Sequence, residues 1–379
     1  MNKKKILTII LIILFIGFVA ERINTNKSNV YEEQNKNSIK KNKNLLSMNL
    51  EQTAGAGDYK TVTQSKWPTE GYKFNTELSR CENGSEISWD DTKKAVIMQG
   101  NVSDKCYVYF DIYQPTLAEY IKSQYTGTQG DNALYYHNST LTNGAGDNSY
   151  RYAGASDSVN NYICLGSDAA TCPDANLFRI IGVFGDKTKV IRANSVGDLK
   201  WHTSSSNTWS SSSLNTYLNG TYLTRLGTIA DKIATTTWKV GGGSWSNIAT
   251  SVPKTAYQNE VGSNASTTTV DKKIGLMYVS DYYYGASPSA WTLVGFNSSD
   301  ATKDYRAATS TNWLYLGSYE WTISRISDRT NDAFGVSSTG NVYHYIVTNS
   351  YAVRPSFNLE SSITYISGDG TIEKPIRIN

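Results

Sequence analysis

The sequence is poor in histidine and cysteine, and it lacks several common catalytic motifs. Its 379 residues include three scattered histidines and four cysteines, without a Cys-x-x-Cys pair. Because zinc sites draw on closely spaced cysteines and histidines, we expect no metal site and no cofactor. Neither a Gly-x-Ser-x-Gly turn nor a Gly-x-x-x-x-Gly-Lys loop occurs, and we interpret Gly241–Gly243 as a loop or flexible tip. We therefore expect that the chain is not an enzyme.

Charge is scarce and unevenly divided along the chain. Charged residues make up 18% of the sequence, and the net charge is +3. Residues 1–50 contain nine basic and three acidic residues, a balance of +6, so residues 51–379 carry −3. Nucleic-acid binding needs a concentrated basic face, which the larger part of the chain does not offer. We expect no nucleic-acid partner.

One apolar run, Ile6–Ala20, follows three lysines, Lys3 to Lys5, a pattern typical of an export signal or signal anchor. As a helix, the run would be about 22 Å long at ~1.5 Å per residue, against about 30 Å for the hydrocarbon core. The bulky Phe18 does not suit a cleavage site after Ala20. We therefore predict an uncleaved signal anchor over residues 1–20. The protein would then cross the cell membrane once, with the rest of the chain extracellular; cleavage would make it a secreted protein.

The four cysteines are even in number and would lie in an oxidising space. Three pairings are possible. We favour Cys81–Cys106 and Cys164–Cys172, because each of these pairs lies within one local module. Closing the larger loop would stabilise the fold by roughly 3 kcal/mol on a loop-entropy argument.

Composition divides the chain after the anchor into four segments. Residues 21–57 are rich in Asn and Lys and are predicted to form a stalk, and residues 58–113 a small β module. Residues 114–175 are predicted to be a helix followed by a turn-rich connector, and residues 176–379 the largest domain. A few helices and many short strands with long polar loops predict an α+β fold.

Local patterns predict several elements within these segments. Hairpins are expected where two apolar or β-branched runs flank a turn: at Glu86–Met98, Phe178–Ala193, Ala333–Val347 and around Gly368–Gly370. Further strands are predicted at Cys106–Ile112, Ile274–Ser280 and Tyr351–Leu359.

Two helices are predicted as well. Thr116 and Glu119 form a capping box at the start of the first. The second carries apolar residues at helical spacing from Leu214 to Leu218, and Asn219-Gly220 would end it.

Four stretches of the C-terminal half carry a resemblance to a known family. They are Phe178–Val183, Thr208–Asn219, Glu320–Arg325 and Tyr351–Leu359. Together they resemble an uncharacterised domain family of surface proteins in low-GC Gram-positive bacteria, distantly similar to the C-type-lectin-like fold. The small module around the first two cysteines resembles the extracellular accessory modules that accompany such domains.

This resemblance implies a C-type-lectin-like domain with a variable loop face. The same broad fold includes formylglycine-generating oxidases and the ligand-binding proteins that retroelements diversify. The oxidases use cysteines in their C-terminal domain, and this chain has none after Cys172. Calcium-dependent lectins read sugars through Glu-Pro-Asn or Gln-Pro-Asp, and neither sequence is present. The resemblance thus implies a scaffold and not a specific ligand.

The region from Trp313 to Tyr351 combines many aromatic residues with Ser, Thr and Asn, a composition that recognition surfaces use. Within it we expect Trp321 to be buried. Just beyond it, we expect Arg354, before Pro355, to make structural hydrogen bonds to buried carbonyl groups. For His344, within a strand, we expect a half-exposed structural role. The candidate ligand-binding residues are those expected on loops: Tyr319, Arg325, Asp328, Arg329, Asn331, Asp332 and Tyr343.

We therefore expect a cell-surface binding or adhesion protein without catalytic activity, whose ligand is a glycan or a surface protein. One alternative is a structural envelope or pilus-like assembly subunit. A second is a carbohydrate-active enzyme that uses a carboxylate pair such as Asp328 and Asp332.

Overall fold

The computed structural model describes residues 46–63, 66–68, 71–101 and 103–379. The predicted signal anchor and most of the predicted stalk lie outside these residues. Of the helices within the described ranges, none has the length and apolar character needed to cross a membrane. The chain divides between Gln114 and Pro115 into two compact units, which we call the N-terminal and the C-terminal unit.

The described part of the N-terminal unit is built from strands. They are β1 (Leu46–Glu51), β2 (Tyr59–Val62), β3 (Tyr72–Phe74), β4 (Arg80–Cys81), β5 (Glu86–Asp90), β6 (Ala95–Gln99) and β7 (Cys106–Ile112). One sheet has the order β2-β1-β7-β3, with β4 also paired to β7, and β5 and β6 form the predicted hairpin. The predicted disulfide Cys81–Cys106 is confirmed and joins β4 to β7.

Strand β1 lies within the segment that we assigned to the stalk. It runs parallel to β7, with Leu46 opposite Cys106 and Leu50 opposite Phe110. Leu50 is buried, and so is the carboxylate of Glu51, which accepts a hydrogen bond from the backbone N–H of Ile112 at 2.9 Å. Strand β1, which lies before residue 58, is therefore paired into the same sheet as β7. This strand was not predicted from the sequence, because the residues that it pairs with lie about 60 positions further along the chain.

The C-terminal unit combines many short strands with short helices. The strands are β8 (Leu134–Tyr136), β9 (Tyr150–Tyr152), β10 (Tyr162–Cys164), β11 (Leu177–Phe184), β12 (Lys187–Arg192), β13 (Asp198–Lys200), β14 (Thr236–Lys239), β15 (Thr269–Lys272), β16 (Ile274–Gly275), β17 (Glu320–Arg325), β18 (Asp332–Val336), β19 (Val342–Ile346), β20 (Ser350–Ala352), β21 (Ser356–Asn358), β22 (Tyr365–Ser367) and β23 (Arg377–Ile378). The α-helices are α1 (Leu117–Ser123), α2 (Ser213–Tyr217), α3 (Leu223–Arg225), α4 (Trp245–Ile248), α5 (Pro253–Glu260) and α6 (Val279–Gly285).

Two larger sheets organise this unit. The first has the order β16-β21-β12-β11-β9-β8, with β10 also paired to β11, and the second has the order β13-β20-β17-β18-β19. The hairpins β11–β12 and β18–β19 are those that the sequence predicted. The predicted strand Tyr351–Leu359 is divided between β20 and β21, which belong to different sheets. The fold is thus mixed α and β, as predicted.

The segment that we called a connector is an integral part of the C-terminal unit. Its helix α1 begins with the predicted capping box, and Leu117 and Ile121 of this helix are buried in the main core. Strands β9 and β10 both pair with β11. The predicted disulfide Cys164–Cys172 is confirmed and starts at the last residue of β10.

The predicted ends of one helix and one strand are wrong, because contacts with distant residues determine them. The helix that starts at α2 does not end at Asn219-Gly220 but continues through a π-turn, Leu218–Tyr222, into α3. Asn219 does not cap the helix, because its side chain accepts from the backbone N–H of Ile274 at 3.0 Å. The predicted strand Ile274–Ser280 is only β16. Helix α6 starts at Val279, where the buried carboxylate of Glu260 accepts two backbone N–H bonds.

Candidate functional site

Six aromatic side chains form a continuous series of ring contacts beside the second sheet, and we call them the aromatic band. They are Tyr319, Tyr351, Tyr345, Tyr343, Trp245 and Phe296. Tyr319 is 42% exposed, and the other five rings are half-buried. The band therefore combines apolar ring surface with access from solvent.

The rings of the band hold each other in fixed orientations. Tyr319 stacks on Tyr351 with a centroid distance of 5.0 Å and an interplanar angle of 21°. Tyr345 meets both rings edge-on, at 5.5 and 5.1 Å. Edge and offset-stacked pairs of this kind are worth about 0.5–1.5 kcal/mol beyond their burial. The exposed ring of Tyr319 is thus oriented before any ligand arrives.

The buried side chain of Trp321 packs against two rings of the band. Its indole N–H donates to the carbonyl of Leu199 at 3.0 Å, and its ring contacts Tyr345 and Tyr351. Trp321 is fully buried, as predicted. It lies on β17, the central strand of the second sheet, and so fixes the two tyrosines to the sheet.

Among the predicted ligand-binding residues, Asp332 is not a surface residue. It is 4% exposed, and its Oδ2 lies 2.7 Å from Nδ1 of His344 and 3.5 Å from the guanidinium of Arg329. His344 in turn stacks on Tyr343 at 4.6 Å and meets Trp245 edge-on. Asp332 thus orients His344 against two rings of the band, those of Tyr343 and Trp245.

Arg325 was also predicted to bind a ligand, but its side chain makes a hydrogen bond to another segment of the protein. Its Nε donates to the carbonyl of Gly241 at 3.0 Å. Gly241–Gly243, which we expected to be a loop or flexible tip, is buried, and a Cβ atom on Gly242 would collide with the Arg325 carbonyl. Arg325 therefore anchors this glycine segment.

The remaining candidates have different surroundings. Asp328 and Arg329 are exposed. Asn331 is half-buried, and its backbone carbonyl accepts from the N–H of Val347 at 2.9 Å. Of the seven candidates, the structure brings Tyr319 and Tyr343 into one series of contacts, and it assigns Arg325 and Asp332 to internal ones.

A second feature, which sequence reasoning missed, is a cavity of about 250 Å³ in the C-terminal unit. Two buried arginines, Arg179 and Arg354, line it together with Trp313. Arg354 was expected to bind buried carbonyl groups, and it does donate to Leu314 O at 2.6 Å, but its main partner is Glu320. Arg179 lies on β11 among apolar residues. A charged residue inside an apolar strand was the signal available in the sequence.

Comparison with known proteins identifies one domain. Residues 185–361 match the model of a domain of unknown function, DUF6273. The match runs from the turn before β12 to just beyond β21 and includes the whole aromatic band. The chain matches no curated protein and no solved structure.

Proposed function

We propose that the chain is an outward-facing surface protein of a Gram-positive bacterium that binds a glycan, or another surface protein, through its aromatic band. Its C-terminal unit would be a variant of the C-type-lectin-like fold, and the N-terminal apolar run would hold it at the membrane. The observation that carries the proposal is the pre-oriented, solvent-accessible ring of Tyr319, which stacks on Tyr351, whose ring in turn contacts the buried Trp321.

The physical argument rests on rigid aromatic surface. Tyrosine offers a large contact area at a small loss of side-chain entropy, and fixed rings reduce that loss further. The C–H face of a pyranose ring is apolar and packs on such a surface. The band is also fixed to a sheet, which favours precise positioning over a flexible loop.

The carboxylate chemistry near the band supports binding over hydrolysis. A glycosidase needs two available carboxyl groups at the scissile bond. Asp332, one of the pair considered for that role, is buried, and its Oδ2 lies 2.7 Å from Nδ1 of His344. A sugar bound at the band would contact aromatic rings and short polar side chains, and its glycosidic bonds would not be hydrolysed.

The test is binding of the purified full-length chain to an array of glycans and bacterial surface proteins. The decisive variant is Tyr319→Ala, which removes the exposed ring of the stacked pair. Its matched control is Tyr136→Ala, because Tyr136 stacks on Tyr150 in the same way, at 4.5 Å and 19°, but on the first sheet.

We expect saturable binding that Tyr319→Ala weakens about tenfold or more and that Tyr136→Ala leaves unchanged, since aromatic anchors dominate recognition surfaces. Equal binding by both variants, or no binding by the wild-type chain, would contradict the proposal.

A further inference from the structure

Arg179 is a buried cation without a carboxylate partner among the described residues. It is 4% exposed. Its Nε donates to Asn161 Oδ1 at 2.6 Å, and its Nη1 and Nη2 donate to Ser156 Oγ at 2.7 Å and to Val159 O at 2.9 Å. All of these acceptors are neutral. Burial lowers the pKa of Arg179 to about 10, and the positive charge of Arg354 acts in the same direction. The positive charge of this side chain is therefore uncompensated.

Arg354 is the second cation at the same cavity, and it still has free donors. It is 3% exposed, and its Nε and Nη2 donate to the two carboxylate oxygens of Glu320 at 2.7 and 2.8 Å. Its Nη1 has no hydrogen-bond partner within the described part of the chain. Glu320 thus neutralises one of the two arginines, and two N–H groups of Arg354 remain available.

The cavity that these arginines line has aromatic walls. The guanidinium of Arg179 lies between the rings of Tyr162 and Trp313, at 4.3 and 4.6 Å from their centroids. These contacts hold the charged group in one orientation. The cavity measures about 250 Å³ and is partly open to solvent. That space suits one small residue of a ligand, such as a single sugar ring or an amino acid.

A buried cation is costly unless an opposite charge is close to it. We propose that the cavity binds a small molecule through its carboxylate group, which accepts hydrogen bonds from Arg179 and Arg354. A carboxylate supplies one negative charge, which matches the single uncompensated arginine. A phosphate dianion would exceed it, and the exposed carboxylate of Asp174, which also lines the cavity, would oppose the second charge.

A carboxylate of this size can come from two sources, an acidic sugar or the end of a peptide. In the first the carboxylate is attached to a sugar ring, and in the second to the last residue of a peptide. Either group can pack against the aromatic residues that line the cavity. This site shares no residue with the aromatic band. Binding of a carboxylate here and binding of a glycan at the band are therefore independent results.

The experiment is isothermal titration calorimetry on the full-length chain with inorganic phosphate and with four organic probes. They are glucuronate, its neutral counterpart glucose, N-acetylalanine and its neutral counterpart N-acetylalanine amide. We expect at least one carboxylate to bind about tenfold or more tightly than its neutral counterpart, since charge-assisted hydrogen bonds to two arginines distinguish them. Glucuronate alone would identify the source as an acidic sugar, and N-acetylalanine alone as a peptide end.

Two variants link this binding to the cavity. Arg179→Gln removes the uncompensated charge, and Ala193→Phe fills the cavity from its wall while both arginines stay in place. Each should lower carboxylate affinity about tenfold or more, whereas Arg225→Gln, at an exposed arginine outside the cavity lining, should have no effect. If Arg179→Gln does not fold, Ala193→Phe decides. No carboxylate binding, equal binding of the neutral probes, tighter binding of inorganic phosphate, or unchanged binding in Ala193→Phe would overturn the proposal.

Discussion

The ammonium of Lys189 lies 2.5 Å from a carboxylate oxygen of Asp281, and both side chains are buried in the C-terminal unit. The same carboxylate oxygen accepts the backbone N–H of Tyr278 at 2.8 Å, immediately before α6. The guanidinium of Arg151 lies 3.8 Å from the other oxygen. The Lys189–Asp281 pair thus ties strand β12 to the start of α6.

Removing Lys189 should destabilise the protein strongly. Lys189→Met leaves the Asp281 carboxylate buried with the more distant Arg151 as its remaining cation. Breaking a buried ion pair in this way costs about 3–5 kcal/mol. The matched control is Lys187→Met on the same strand, where the lysine is half-buried. Urea unfolding followed by tryptophan fluorescence measures both, and equal losses in the two variants would contradict the argument.

His137 should make the protein less stable as the pH falls below about 6.5. Burial lowers the pKa of His137 well below its usual value, and the charge of Arg151 acts in the same direction, against the opposing effect of Asp147. Its Nδ1 accepts the backbone N–H of Ala145, so the native imidazole is neutral. The unfolded state takes up a proton below about pH 6.5 and the native state does not.

The free energy of unfolding should therefore fall by up to about 1.4 kcal/mol per pH unit between pH 6.5 and 5, with no contribution from His137 above that range. Urea titrations across this range measure the slope. His137→Gln should reduce it, and His202→Gln, at a less buried histidine, should not. A slope that persists in His137→Gln would refute this assignment.

Two glycines should respond in opposite directions to alanine. Gly182 lies on β11 where a Cβ atom would collide with the backbone carbonyl of Tyr150, so Gly182→Ala should cost about 1–3 kcal/mol. Gly220 lies in the π-turn after α2 with open space around it and without a positive φ. Gly220→Ala should stabilise the protein by about 0.5–1 kcal/mol. Thermal unfolding of the two variants tests both signs.

The disulfide Cys81–Cys106 should stabilise the N-terminal unit locally. It closes a loop of 25 residues, which corresponds to about 3 kcal/mol on the chain-entropy argument. In the double variant Cys81→Ala, Cys106→Ala, amide exchange of β7 should accelerate about a hundredfold. Exchange in β11 serves as the internal control. An unchanged rate in β7 would show that the crosslink adds nothing to this strand.

Elements with local signals were predictable from the sequence. The hairpins β5–β6, β11–β12 and β18–β19 each have two β-prone runs around a short polar turn. The capping box of Thr116 and Glu119 marked the start of α1 correctly. Both disulfides followed from the separation of the cysteines into two local pairs.

Elements that depend on distant partners were not predictable. Strand β1 exists because β7 pairs with it, and α6 starts where Glu260, from the end of α5, accepts its first backbone N–H groups. Likewise, the sequence placed Tyr319 and Tyr343 in one candidate site, but it could not show that Asp332 is buried against His344.

The sequence by itself determined the short-range elements, the disulfide pairs and the aromatic character of the segment that forms most of the band. These properties depend on neighbouring residues and on side-chain chemistry. Only the tertiary structure decided which polar groups are buried and what they bind. Arg179 and Arg354 are 175 positions apart, and they share a cavity because β11 and the segment after β20 fold against the same core. Whether a charged side chain meets an opposite charge or remains uncompensated is set by such long-range packing, which no local pattern records.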